Sequence, residues 1–185
     1  DMFADDEKVW QGDVPKTKVA SDSVKNWNLE LGGCNFVEKF SEDDAYYVEY
    51  KGKGKSQAYV KGDELFVKVL NSSNISIDEE NCFTLYIPAE VELDKAEIEL
   101  GAGKAMVGGF IAKEMKSSIG AGELFLTATK LGKVEVEVGA GKCTIWSEIT
   151  DELKAECAMG SLELKLKGKE EDFDYKIEAV SGSVS

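Results

Sequence analysis

The sequence predicts an all-β chain: a β-helix, or β-solenoid, with coils of about nineteen residues and a less regular β region before them. Three observations carry that reading. A glycine triplet returns at constant spacing, the residues on either side of it alternate apolar with polar, and stacked copies bring apolar residues into columns. Self-similarity at a fixed period marks repeat architectures, in which each unit buries its apolar face only against its neighbours.

Gly101-Ala-Gly103, Gly120-Ala-Gly122 and Gly139-Ala-Gly141 start nineteen residues apart, and one further step lands on Ala158-Met-Gly160. A degenerate fifth copy, Val180-Ser-Gly182, comes twenty-two residues later, with the extra three in Lys169-Glu-Glu-Asp-Phe-Asp174. Val134-Glu-Val-Glu-Val138 and Ser161-Leu-Glu-Leu-Lys-Leu-Lys167 have the two-residue period of half-buried strands. Each copy therefore reads strand, corner, strand.

Superposing the copies gives the interior. Leu100, Ile119, Val138, Cys157 and Ala179 stand directly before the triplets. Ala105, Leu124, Cys143, Leu162 and Val184 stand two residues past their last glycine, and Val107, Leu126, Ile145 and Leu164 two further on. Burying each large member contributes roughly 1.5–3 kcal/mol. Inward parity switches across the triplet, so the chain turns a corner there. The corner glycines Gly103, Gly122, Gly141, Gly160 and Gly182 are the same in every copy. Either a positive φ or tight packing against the next coil explains that. Glu97, Lys116, Glu135 and Lys154 form one charged column, and Lys104, Glu123 and Lys142 another. Alternating signs on adjacent coils favour correct register more than they add stability.

Residues 96–185 hold the regular repeats; residues 1–95 hold opening coils and a cap, in one continuous domain. Strands are expected near Asn28–Leu31, Ala45–Tyr50, Gln57–Val60, Glu64–Val69, Ser73–Ile77 and Cys82–Ile87, separated by Gly- or Asp-containing turns. Leu29-Glu-Leu-Gly-Gly-Cys34 reads as a distant, shortened copy of Ile98-Glu-Leu-Gly-Ala-Gly103. Asp1–Asp13 is an acidic end that frays.

Composition narrows the function by exclusion. The net charge of −14 disfavours nucleic acid and anionic lipid as partners. Every basic residue is Lys, so the commonest general base and metal ligand, His, is missing, and so is the planar Arg fork. No run of about 18 apolar residues offers a membrane span. The chain starts at Asp1 without a leader pattern, and whether a signal peptide, an anchor or further repeats flank it stays open.

The Leu-Glu-Leu strand, the segment Glu42-Asp-Asp-Ala-Tyr-Tyr47, then Asp63-Glu-Leu-Phe-Val67 and Leu85-Tyr-Ile-Pro88 precede the glycine-cornered repeats in that order. In this arrangement nearly the whole chain resembles the bacterial "putative adhesin", or toastrack, family. The resemblance implies a single-stranded right-handed β-helix on the outer surface of bacteria, often joined to membrane or envelope-stress modules. It implies no catalytic residues.

Several motifs have plain structural explanations. Cys143 and Cys157 fall in inward columns and are expected as buried free thiols; the state of Cys34 and Cys82 is open. With no C-x-x-C and no His, neither a zinc site nor any other metal or cofactor is expected. Gly139-Ala-Gly-Lys142 and Gly54-Lys-Ser56 lack the earlier glycine of a phosphate loop. Glu42-Asp-Asp44, Asp78-Glu-Glu80 and Glu170-Glu-Asp172 read as solvated turns, since none has the spaced oxygen ligands of a calcium loop. The sequons Asn71-Ser-Ser73 and Asn74-Ile-Ser76 would be idle in a bacterium, and Thr127-Ala-Thr129 is a single copy.

One group stands out. If Leu124, Leu126 and Ile145 point inward, then Met106, Phe125, Thr144 and Trp146 point outward on neighbouring coils. Clustered large apolar residues on a solvent face mark a contact site, or a surface covered by another segment or a second copy. Three functions follow: a non-enzymatic cell-surface module binding an unknown surface ligand or envelope protein; a self-assembling protein forming homo-oligomers; or a carbohydrate-active β-helix enzyme. The last would draw on the column Glu99, Ser118, Glu137, Glu156 and Glu178, and ranks last because neither Arg nor His is present to assist.

Overall fold

The computed structural model describes residues 2–21, 23–70, 81–128, 130–167, 174–179 and 182–185, which form seventeen strands and no helix. The expected strand Ser73–Ile77, both sequons, and the acidic clusters at 78–80 and 170–172 lie outside the described residues.

The strands pair into two ladders. The first runs β1 (Trp10–Gln11), β6 (Lys55–Lys61), β7 (Glu64–Leu70), β3 (Asn26–Leu31), β9 (Val91–Leu100), β11 (Phe110–Ile119), β13 (Lys130–Val138), the second half of β14 (Lys142–Cys157), and β16 (Asp174–Ala179). The second runs β2 (Val14–Ala20), β5 (Tyr46–Lys51), β8 (Cys82–Ile87), β4 (Cys34–Phe40), β10 (Gly103–Gly108), β12 (Glu123–Thr127), the first half of β14, β15 (Ser161–Lys167), and β17 (Ser183–Val184). Because β14 passes from one ladder into the other, all seventeen strands form one sheet. The glycine triplets are the corners where the chain leaves the first ladder for the second.

From β7–β8 onward every pairing between successive rungs is parallel, and through the regular repeats the register step is the predicted nineteen residues: Leu124 lies opposite Cys143, and Lys116 opposite both Glu97 and Glu135. Alternation becomes burial directly: in Val134–Val138 the valines are buried and the glutamates exposed. The inward columns are closed through Cys157 and Leu162, while Ala179 on the last rung is exposed. The charged columns form as expected, with Lys104 and Glu123 3.9 Å apart across rungs, although Lys95 reaches Glu97 along its own strand at 2.9 Å.

The N-terminal region is ordered differently from its sequence. The Leu29-Glu-Leu segment stacks directly on Ile98-Glu-Leu, with Leu29 opposite Ile98 and Cys34 opposite Gly103. The later strands β7 and β8 pair on its other side, so the chain makes its second rung below its first and then returns above it. The β6–β7 hairpin turns at Gly62-Asp63, with Gly62 at φ +66, the conformation that a tight hairpin with glycine in first place requires. At the outer end, β2 carries Pro15, Lys16 and Lys18, residues that blunt an edge against further pairing. Inside, Trp27 of the first ladder meets Tyr46 of the second edge-on at 6.1 Å and donates its Nε1–H to the Tyr46 hydroxyl, so the largest core ring has its polar atom satisfied.

All five corner glycines are pressed against the neighbouring rung, and Gly103 alone among them also has a left-handed φ, +93.

All four cysteines are free; Cys34, Cys143 and Cys157 are buried and Cys82 is half-buried. Burial pushes the thiols of Cys34 and Cys143 up to about 12, with smaller contributions from Cys82 and Cys157 beside them. The thiolate is the reactive form. The native protein at pH 8 is therefore expected to give at most one fast-reacting thiol, Cys82, with a colorimetric disulfide reagent, and four in denaturant. Two fast native thiols, or fewer than four on unfolding, would contradict this packing.

Candidate binding face and the Glu38 cleft

The second ladder presents its outer face along β4, β10, β12, β14 and β15. Met106 lies opposite Phe125, and Phe125 opposite Thr144. The structure brings together three of the four expected residues as a surface: Met106 is 56% exposed, Trp146 43%, and Phe125 half-buried. Thr144 departs from the expectation. It is buried, because Phe125 beside it and Trp146 two residues on bring their rings to 5.2 Å in an edge-on pair that closes over it. Lys165, opposite Trp146 on the next rung, holds its ammonium 4.5 Å above the indole. That geometry is a cation–π contact.

Two residues outside the predicted group extend this face. Phe40, at the end of β4, is 60% exposed. Glu38, two residues earlier, points where an apolar side chain belongs: its register partner on β8 is the buried Leu85. Carrying the match of Leu29–Cys34 onto Ile98–Gly103 forward sets Glu38 level with Val107, in the inward column. Oε2 of Glu38 accepts the backbone N–H of Gly108 at 3.0 Å, whereas Oε1 is enclosed and has no partner among the described residues. Burial drives its carboxyl well above the usual carboxylate range, and the Gly108 hydrogen bond offsets this only in part. Gly109, at φ +70, turns the chain from β10 into β11 here; a side chain at that position would press on the Phe40 ring. The result is a cleft of about 200 Å³ lined by Glu38, Phe40, Ile87, Met106, Phe125 and Thr127, among others.

Two of the remaining candidates are structural. Asp43 accepts the Ala45 N–H and the Tyr47 hydroxyl, which hold its carboxyl below the ordinary range, so Glu42-Asp-Asp44 is a side-chain-braced turn. Gly54 opens into β6, with its N–H given to the Tyr50 hydroxyl, and no helix follows. Glu99, Ser118, Glu137, Glu156 and Glu178 do stack in register, and the last four of them line a groove. Among the described residues no cluster of His, Cys, Asp and Glu is placed to hold a metal ion, and no helix is long and apolar enough to cross a membrane.

Fold and face together define an all-β protein, its strands joined in one sheet, carrying an apolar outer surface with a buried carboxyl beside it. No family model and no curated protein matches the chain. Among solved structures, one described as a "putative cell adhesion protein" from Clostridium sporogenes is 19% identical, with 96% of this chain and 97% of that one aligned and a TM-score of 0.47. A "putative adhesin" from Bacteroides fragilis is 15% identical over 96% of each chain, with a TM-score of 0.41. A "putative lipid binding protein" from Parabacteroides distasonis is 14% identical over 97% of this chain and 96% of that one, with a TM-score of 0.28. Each likeness spans nearly the whole chain at low identity, and the fold described above rests on the strand pairing itself.

Proposed function

We propose that this chain is a non-enzymatic binding module of the bacterial cell surface, a right-handed β-solenoid that presents one rigid face to a surface ligand or envelope protein. The observation that carries the reading is the exposed group Phe40, Met106 and Trp146 with half-buried Phe125, standing on hydrogen-bonded rungs rather than on loops. Large apolar side chains gathered on a fixed outer face cost solubility, and contact with a partner recovers that cost. Right-handedness follows the strong preference of parallel β-strand connections. The outer surface of a bacterium is the location that the sequence resemblance implies.

A second reading, self-assembly, is favoured by the last rung. Ile177 of β16 is 40% exposed, and two copies of β16 set antiparallel about Ile177 would place Lys176 opposite Glu178.

One experiment separates the two. Beads coated with wild-type protein or with a Phe125→Lys/Trp146→Lys variant are counted on mucin, collagen and intact bacterial envelopes, with mass in solution measured by light scattering. The first reading expects a monomer whose retention falls at least fivefold in the variant on one or more surfaces. Equal retention on all of them removes the face from binding. An oligomer that dissociates in the variant supports self-assembly through the face, and one that persists points to the last rung.

A further inference from the structure

We infer that the Glu38 cleft is a binding site for a primary alkylamine in its ammonium form, whose N–H groups donate to Oε1 of Glu38 while its carbon chain lies against Phe40, Met106 and Phe125. The inference rests on reading this face as a binding surface and adds the chemistry of what it takes.

The donor and acceptor inventory selects the ligand. Oε2 already accepts the Gly108 N–H; once the carboxyl is ionised, the enclosed Oε1 is a charged acceptor that lacks a donor. A buried polar atom left in that state is unfavourable, so a ligand that satisfies it binds more tightly than one that does not. Calcium and magnesium take six or more oxygens, and this cleft offers one carboxyl among apolar walls. An anion meets a chain of net charge −14. A polyol needs several polar partners, and the side chains here provide only Glu38, Thr127 and rim Lys39. A single ammonium on an alkyl chain matches one acceptor surrounded by methionine and phenylalanine. The same face already holds an ammonium, that of Lys165 over Trp146 at 4.5 Å.

Binding moves a proton. In the empty cleft Glu38 retains its proton to higher pH than an exposed carboxyl. An arriving ammonium keeps its own proton, the Glu38 carboxyl releases one to solvent, and an ion pair hydrogen-bonded to Gly108 remains. The groups facing Glu38 from neighbouring strands, Leu85 of β8 and Val107 of β10, carry no charge, and Lys39 is the other ionisable side chain lining the cleft. Affinity should therefore rise with pH, by up to tenfold per unit below the folded pKa of Glu38, until the amine itself deprotonates near pH 10.

Hexylammonium chloride is the probe, with 1-hexanol and sodium hexanoate as neutral and anionic chains of equal length, followed by the Met106 methyl resonance from pH 5.5 to 9. Hexylammonium is expected to bind at least tenfold tighter than hexanol at pH 7.5, with proton release measurable by calorimetry in buffers of different ionisation heat. Glu38→Gln, which keeps an acceptor for Gly108, should abolish the tenfold advantage and the pH dependence while leaving hexanol binding in place. Equal binding of hexanol and hexylammonium, no dependence on pH, or an unchanged advantage in Glu38→Gln would each overturn the inference. Hexanol binding in Glu38→Gln shows that the cleft is intact, so loss of the amine is not loss of fold. Tenfold amine selectivity with no bead retention would keep the site and remove the adhesive reading; the reverse would remove the site alone.

Discussion

Gly141→Ala is expected to lower the stability of this protein by about 2–4 kcal/mol, an effect large for one methyl group. The backbone at Gly141 is not left-handed, so the new Cβ brings no conformational strain. It brings a collision. The Cβ would lie against the carbonyl oxygen of Gly122 on the neighbouring rung, 2.9 Å from the Ala121 carbonyl carbon and 2.9 Å from Cγ2 of Ile119. Those rungs cannot part freely, because the Lys142 N–H donates to the Gly122 carbonyl at 2.9 Å and the Gly141 N–H to that of Gly120 at 3.0 Å. Weakening these two bonds costs about 1 kcal/mol between them, and forcing a methyl into a closed site costs about 1–3 kcal/mol. Gly62→Ala is the comparison: there φ is +66 with nothing within 4 Å of the added Cβ, so only the left-handed backbone penalty of about 1–2 kcal/mol applies. Urea unfolding of the two variants and wild type, with slopes checked for equality, gives the ranking. Gly141→Ala no weaker than Gly62→Ala would mean that the corners are not in close contact.

The repeats were legible because their information is local and periodic. Nineteen-residue spacing sets Leu124 beside Cys143, and alternation around the triplets gives the side each residue faces; the structure has both. Even the distant copy at Leu29 carried its register. The order of the N-terminal rungs was not legible. Placing β7 beside β3 depends on a hairpin and a return connection whose alternatives present the same apolar residues to the core, and no local pattern distinguishes them. The candidate face was half legible. Parity gives direction, but the burial of Thr144 is set by two aromatic rings on either side of it. Glu38 was missed because a carboxylate in an alternating strand looks like a solvent-facing residue; only the sixty-nine-residue offset between Leu29 and Ile98, extended to Val107, shows that it points inward.

That inward carboxyl gives the second large effect: raising the pH should destabilise the protein through a window that starts near pH 4.5. In the unfolded chain Glu38 loses its proton around its ordinary value of 4.5; in the folded chain burial holds the proton to higher pH. Between those two values the folded state binds more protons than the unfolded state, so stability falls as pH rises, by up to about 1.4 kcal/mol per unit. Asp43 acts in the opposite sense: its folded carboxyl is depressed, so the stability it contributes is present at neutral pH and is lost as pH falls. The Cys34 and Cys143 thiols, raised to about 12 from 9.0, act only above pH 9. Subtracting the profile of Glu38→Gln from that of wild type cancels these groups, since Gln keeps the Gly108 acceptor and none of them pairs with residue 38. The difference should be a falling line that flattens above the folded pKa of Glu38, with the Gln variant more stable at pH 8. Leu at 38 is a poorer test: it suits the column beside Leu85 but leaves the Gly108 N–H without its acceptor. Parallel profiles from pH 4.5 to 8 would show that Glu38 ionises as an exposed residue does, and the carboxyl would then have to lie outside the apolar column.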